Sequence, residues 1–202
     1  MDEALIIFTK NPIHGQVKTR LATTIGNDKA LAVYKQLIHY TIEITDQLPV
    51  PKFIFYSDSI EPDDNWSNNI YSKKLQSGAG LGEKMKNAFS DLFTQGYSRV
   101  LIIGTDCPEL SPAIITAAFD SLNNHDIVIG PARDGGYYLL GMKKLYPGLF
   151  DNISWSTDQV LQQTLLACAQ SRLSNLLMEE LSDIDTEKDL LALKPLNEWI
   201  YD

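Results

Sequence analysis

The sequence predicts an α/β fold: a mixed, mostly parallel sheet with helices on both faces and one antiparallel strand. Short apolar runs of strand length alternate with longer runs of helical spacing. Asp134 and Gly135 lie between two apolar runs and form the kind of turn that reverses a strand. No repeat of solenoid period and no linker-like stretch interrupts the alternation, so residues 1–202 read as one domain.

Residues 4–9 are a continuous apolar run suited to a strand buried on both faces. Residues 28–48 place Leu31, Tyr34, Leu37, Ile38, Ile42 and Ile44 at near-helical spacing, and Pro49 ends the pattern. The stretch between these two elements reads as a long loop. Lys52–Tyr56 is the next strand, residues 60–69 a polar loop and residues 70–75 a weaker strand. Leu81–Thr94 forms a helix with Met85, Ala88, Phe89 and Leu92 on one face. A strongly apolar strand follows at 100–103. The next helix opens at Ser111 and Pro112, because serine caps and proline fits the first turn. Residues 126–132 and 137–142 make the hairpin around Asp134-Gly135. Residues 156–171 read as a helix with Ser156 and Gln159 as a capping box. A last strand at 173–178 and a terminal helix at 186–193 complete the pattern.

Composition narrows the function classes. A formal net charge of −9 opposes long-range attraction to nucleic acid or an anionic membrane, so neither is expected as a partner. The apolar run at 4–8 is too short for a signal peptide or a membrane span, and a cytoplasmic location is expected. Cys107 and Cys168 belong to no CxxC pair or zinc-type cluster and read as reduced thiols.

Ligands of open α/β sheets sit beyond the carboxyl ends of the strands, so the loops at that edge hold the candidate site. The first loop carries Lys10, Gly15, Lys18, Thr19 and Arg20. Its three cations in an acidic chain make a local anion site, and Gly15 lets the backbone turn closely. It is not a Walker loop, since the leading glycine and the Gly-Lys pair are missing. Gly78, Gly80 and Gly82 do not have dinucleotide-fingerprint spacing. They read as a flexible turn opening the Leu81 helix, whose N–H groups at Gly80 and Gly82 could also face a ligand. Asp106, after the strand at 100–103 and stiffened by Pro108, reads equally as a magnesium carboxylate or as a turn aspartate. Cys107 lacks a nearby histidine and reads as a small buried filler.

The segments 8–21, Leu81-Gly-Glu-Lys-Met85, Gly104-Thr-Asp-Cys-Pro108, Gly130-Pro-Ala-Arg-Asp-Gly-Gly-Tyr137 and Asp183-Ile-Asp-Thr186 together resemble the nucleotide-diphospho-sugar transferase superfamily with its GT-A fold. The nearest likeness is to a bacterial family labelled glycosyltransferase or radical-SAM/selenodomain-associated transferase. The chain is also similar to phospholactate guanylyltransferase and the molybdenum-cofactor nucleotidyltransferases. Its opening loop departs from the Gly-Gly-rich form and is closer to the Lys-Thr-Arg-Leu form of the phospholactate branch.

The resemblance implies a metal-dependent transferase with an NTP or nucleotide sugar as donor, a small-molecule acceptor, and Mg²⁺ or Mn²⁺ as cofactor. Nucleotidyl transfer to a phosphorylated acceptor is favoured over glycosyl transfer, and a non-catalytic nucleotide-binding module is the reading from another class. Lys18 and Arg20 would bind phosphates and act with Asp106 in catalysis, with Lys10, Gly15 and Thr19 shaping the loop. Asp106 and Asp185 would hold the metal, with Asp183 as the alternative second ligand and a helix N-cap as the other reading of Asp185. Asp134, Gly135, Gly136, Tyr137, Trp155, Ser156 and Thr157 would line the acceptor side, and Asp134 would be the base for a hydroxyl acceptor. Asp183-Ile-Asp185 does not fit an aspartyl-phosphate phosphatase, because Glu187 stands where that chemistry needs threonine. Assembly into a homo-oligomer is left open.

Overall fold

The computed structural model describes residues 2–192. Four parallel strands, β1 (Glu3–Thr9), β2 (Lys52–Tyr56), β3 (Tyr71–Leu75) and β4 (Arg99–Ile103), form one half of the sheet. The other half contains β5 (Ile127–Pro131), β6 (Tyr137–Met142) and the short β7 (Asn175–Leu177). The order across the sheet is β3-β2-β1-β4-β6-β5-β7, and β6 alone runs antiparallel to its neighbours β4 and β5. The antiparallel strand expected from the Asp134-Gly135 turn is therefore β6.

Strand alternation explains why both faces are covered. Leu5 and Ile7 point to one side, against α2 (Asn27–Asp46) and α4 (Pro112–Ser121). Ala4 and Ile6 point to the other, against α3 (Leu81–Thr94) and α5 (Val160–Gln170). Ser111 caps α4 by accepting from the Ile114 N–H, with Pro112 at the first helical position. No helix among the described residues is long and apolar enough to cross a membrane.

Three departures from the sequence expectations bear on the site. The long opening loop contains a helix, α1 (Thr19–Ile25). Its start has no side-chain cap, and Thr23 and Thr24 bond back to the carbonyls of Arg20 and Leu21, which weakens the local signal. Burial of Leu21 against Ala30, Val33, Leu37 and Ile184 holds it instead.

The helix expected from 156 begins only at Val160, and the Ser156–Gln159 capping box does not form. Ser156 is left-handed (φ 64°), which turns the chain, while Thr157 closes the turn onto the Ser154 carbonyl and receives the Gln159 N–H. The last helix, α6 (Glu187–Ala192), agrees with the expectation as far as it is described, and Leu193 lies outside the described residues. The last strand is shorter than the expected 173–178, because only Asn175–Leu177 pairs with β5.

Candidate functional site

The chain leaves β1 towards β2 and β3 on one side and later returns to β4 on the other. A crevice therefore opens beyond the carboxyl ends of β1 and β4. It is a cavity of about 800 Å³. Lys10, Lys18, Thr19, Arg20, Asp106, Asp134, Gly136, Tyr137, Trp155, Ser156, Asp183 and Asp185 all line it. Gly15, Gly80, Gly82 and Gly135 do not.

Lys18 is the centre of the charged floor. It is the N-cap residue of α1 in a left-handed conformation (φ 48°), and only 4% of its side chain is exposed. Its Nζ donates to the Ile184 carbonyl at 2.6 Å and to Asp185 Oδ1 at 3.3 Å, and lies 2.7 Å from Asp106 Oδ1. Burial alone would lower the pKa of this ammonium, but Asp106, Asp185 and Asp183 outweigh it and hold the value above that of an ordinary lysine. The side chain stays charged.

The two C-terminal aspartates reach this floor because the chain is extended between them. Successive side chains of an extended segment point to opposite sides, so Asp183 and Asp185 face the cavity while Ile184 is fully buried against α1, α2 and α6. The Ile184 N–H donates to the Asp106 carbonyl at 3.0 Å, and the Ser182 N–H to Glu109 Oε2 at 2.6 Å, fixing the segment to the loop after β4. Asp185 is not the cap of α6. Thr186 accepts from the Asp189 N–H, and Asp189 accepts from the N–H groups of Asp185 and Thr186. The Asp185 carboxylate is left for Lys18 and for Arg20, whose Nη1 is 3.5 Å away.

Asp183 Oδ1 is buried without a hydrogen-bond donor. Burial first, and then the charge of Asp106, push its carboxyl up to about 7, with Lys18 opposing. Five aspartates (Asp106, Asp134, Asp158, Asp183, Asp185) and four cations (Lys10, Lys18, Arg20, Lys84) line the cavity, so its acidic groups outnumber its basic ones.

This donor set fits a hard divalent cation. It is all oxygen, the buried oxygens Asp183 Oδ1 and Asp106 Oδ1 accept no hydrogen bond (the latter faces only the Lys18 ammonium), and the carboxylates of Asp106 and Asp185 are 44% and 39% exposed. No three histidine, cysteine, aspartate or glutamate side chains among the described residues converge to enclose a metal by themselves. The arrangement suits an ion such as Mg²⁺ that one or two carboxylates share with ligand oxygens.

Tyr34 ties the loops together. Its hydroxyl accepts from the Lys10 N–H at 2.9 Å, donates to the Lys10 carbonyl at 3.0 Å, and lies 3.3 Å from the hydroxyls of Thr9 and Thr105. Gln76, just past β3, donates to the carbonyls of Phe55 and Thr9 at 3.0 and 3.4 Å. Sequence reasoning placed Tyr34 only in the core face of a helix and passed over Gln76, Lys84 and Asp158. Gln76 had a usable signal, a polar residue directly after a strand at the ligand edge, and Lys84 stood inside the quoted Leu81–Met85 segment.

The opposite wall is aromatic. Trp155 stacks on Phe150 (6.5 Å, 19°) and meets Tyr137 edge-on (6.5 Å, 88°). Asp134 Oδ1 accepts from the Gly136 N–H at 2.9 Å, so this aspartate is a turn residue that also lines the cavity. Gly135 is required for the turn: its φ is 89°, and a Cβ there would lie 2.3 Å from the Asp158 carbonyl. Gly82 serves packing, since a Cβ there would meet the Trp155 indole. Cys107 and Cys168 are free and buried, and burial raises both thiols above their ordinary pKa, as inert fillers require.

The same fold recurs in solved structures. The chain is similar to a protein provisionally assigned as a nucleotide-diphospho-sugar transferase from Desulfovibrio desulfuricans G20, at 33% identity and a TM-score of 0.90, over 98% of this chain and 89% of that one. It shares its fold with 4-diphosphocytidyl-2C-methyl-D-erythritol synthase from Anaerococcus prevotii DSM 20548 (13% identity, TM-score 0.57, 98% of each chain). It likewise shares it with Rv0371c of Mycobacterium tuberculosis H37Rv in complex with manganese (11% identity, TM-score 0.54, 98% of this chain and 99% of that one). No curated protein matches the sequence. These likenesses bear out the resemblance to the nucleotide-diphospho-sugar transferase superfamily. With its pattern matched over residues 41–157, the chain belongs to the family described as "Uncharacterized protein conserved in bacteria (DUF2064)".

Proposed function

We propose that the protein is a metal-dependent transferase that takes a nucleoside triphosphate or a nucleotide sugar as donor, and that nucleotidyl transfer to a small phosphorylated acceptor is its reaction. The observation that carries the reading is the Lys18–Asp106–Asp185 cluster on the floor of a cavity of about 800 Å³. Such a volume accommodates a nucleotide and a small second ligand. The likeness to the transferase from Desulfovibrio supports the class, and the diphosphocytidyl product in the name of the Anaerococcus neighbour supports nucleotidyl over glycosyl transfer.

In this reading Asp106 and Asp185 hold Mg²⁺ or Mn²⁺, with Asp183 as the spare carboxylate. The manganese complex of Rv0371c supports a divalent ion of this kind. When bound, the ion supplies Lewis-acid stabilisation of charge on phosphate oxygens. Arg20 and Lys10 receive the donor phosphates; Lys18, expected from the sequence to bind them as well, acts instead by holding Asp106 and Asp185, because its ammonium is buried against these carboxylates and the Ile184 carbonyl. Gly15 and Thr19 shape the loop. The N–H groups at Gly80 and Gly82 remain candidates for donor contact through the start of α3. Trp155, Tyr137, Ser156 and the Asp134–Gly136 turn form the acceptor wall.

A phosphate acceptor, with a second pKa near about 6, is already mostly ionised at neutral pH and needs no protein base. A hydroxyl acceptor would need a carboxylate such as Asp134. Residues 1–202 act as one domain, with no nucleic-acid or membrane partner and a cytoplasmic setting.

The test incubates the protein and its Asp106→Asn variant with Mg²⁺ or Mn²⁺, each NTP or a panel of nucleotide sugars, and a metabolite extract as acceptor source. Metal-dependent pyrophosphate release by the wild type alone supports nucleotidyl transfer. Nucleoside diphosphate released from a sugar donor supports glycosyl transfer instead. Binding of either donor class unchanged in Asp106→Asn, with no turnover, supports the non-catalytic module.

A further inference from the structure

We propose that Lys84 is a phosphate-binding residue of the cavity, a second cationic contact across from the Lys18–Asp106 floor. The proposal rests on the transferase reading and extends it by saying which cation is free to meet a phosphate oxyanion.

The cations of the cavity differ in how far they are already neutralised. Lys18 is committed: its ammonium donates to the Ile184 carbonyl and Asp185 and forms an ion pair with Asp106, and its side chain is 4% exposed. Arg20 is shared with Asp185. Lys10, whose backbone is held by Tyr34 and whose ammonium has no ion-pair partner among the described residues, is the cation already given to the donor phosphates, so Lys84 is the second one free. Lys84 lines the cavity, is half-buried, and has no ion-pair partner among the described residues. Its neighbour Glu83 does not neutralise it, because Glu83 Oε2 accepts from the Ala79 N–H at 2.8 Å and is engaged at the start of α3.

Position fits as well. Lys84 stands in the first turn of α3, and Gly82, two residues before it, touches the Trp155 indole. Leu81 and Met85, on either side of Lys84, also line the cavity, so this turn of the helix belongs to the wall that carries Trp155. A half-buried, unpaired ammonium has already given up part of its hydration, so it loses little more when an oxyanion arrives, and it gains a charge-assisted hydrogen bond. The phosphate is either that of the acceptor or the far end of the donor's polyphosphate, and the experiment separates the two.

The experiment uses the full chain with Mg²⁺ and calorimetry, with inorganic tripolyphosphate as the donor probe and glycerol 3-phosphate as the acceptor probe. Lys84→Met is compared with Lys86→Met, a nearby lysine of the same helix that does not line the cavity. The comparison removes one charge in both cases and so cancels the long-range field. Lys84→Met should weaken one probe by about tenfold, the loss of one charge-assisted hydrogen bond, while Lys86→Met leaves both unchanged. A loss confined to glycerol 3-phosphate places the residue at the acceptor, and a loss confined to tripolyphosphate places it at the donor. Lys84→Arg should recover part of the affinity.

Equal binding by the wild type and Lys84→Met, equal losses in the two variants, or no binding of either probe by the wild type would overturn the proposal. If the wild type binds phosphate through Lys84 but turns over no donor, the transferase reading fails alone. If it turns over a donor and Lys84→Met binds as the wild type does, only the present inference fails.

Discussion

Gly82 and Trp155 are in direct contact: a Cβ on Gly82 would lie 2.3 Å from the indole Nε1 and 2.5 Å from its Cε2. The first turn of α3 and the aromatic wall of the cavity are thereby a single packed unit. The indole cannot retreat easily, because it stacks on Phe150 and meets Tyr137 edge-on.

Gly82→Ala tests that unit. Alanine would gain about 1 kcal/mol of helix propensity, but overpacking against a confined ring costs about 1 to 3 kcal/mol, so the net effect is destabilising. Urea unfolding should report a lower midpoint with an unchanged slope. Trp155 fluorescence should shift in the folded state as well, and an unchanged spectrum would mean that the ring does not bear on position 82.

Tyr34→Phe removes the hydroxyl that holds both backbone groups of Lys10 and lies beside Thr105. The Lys10 N–H then loses its partner and the carbonyl keeps only the Thr9 hydroxyl, at a cost of about 1 to 3 kcal/mol. Hydrogen exchange at the Lys10 amide should accelerate more than exchange in β2, which would place the effect in the loop rather than in the whole sheet.

Arg20 separates binding from stability. Its side chain is 69% exposed and its contact to Asp185 is long, so Arg20→Ala should leave stability within about 0.5 kcal/mol of the wild type. Donor binding should fall by about tenfold or more, as expected for the loss of a charged hydrogen-bonding group. A large drop in melting temperature together with unchanged nucleotide binding would remove Arg20 from the site.

Asp183 gives a pH dependence with a definite sign. Its folded pKa, raised to about 7 by burial and Asp106, exceeds the ordinary carboxyl value of 3.8. The folded state therefore holds an extra proton between these values, and stability falls as pH rises through that window and levels off above it. In the presence of a chelator, Asp183→Asn should stabilise the protein at pH 8 by on the order of 2 to 4 kcal/mol. By pH 5 the gain should shrink to less than about half. A gain independent of pH would contradict the assignment.

Much of the fold could be read from local pattern. The apolar runs of β1, β4 and β5, the period of α2 and α3, the Ser111-Pro112 start of α4 and the glycine turn at 135 are each decided by neighbours within a few residues. Lys10, Lys18, Arg20 and Asp106 could be placed at the ligand edge for the same reason, since each closely follows a legible strand. The left-handed turn at Ser156 and the uncapped α1 escaped, because packing fixes them: Trp155 against Gly82, and Leu21 against α2.

The sequence by itself thus determined the order of the elements other than α1, the hairpin and the loops at the ligand edge. Only the tertiary structure decided that Lys18, whose partner Ile184 is 166 residues away, is held by that carbonyl and two carboxylates from distant segments. The physical reason is that strand order within the sheet and burial of Ile184 between helices bring these segments together, and neither leaves a mark on the periodicity of the residues involved.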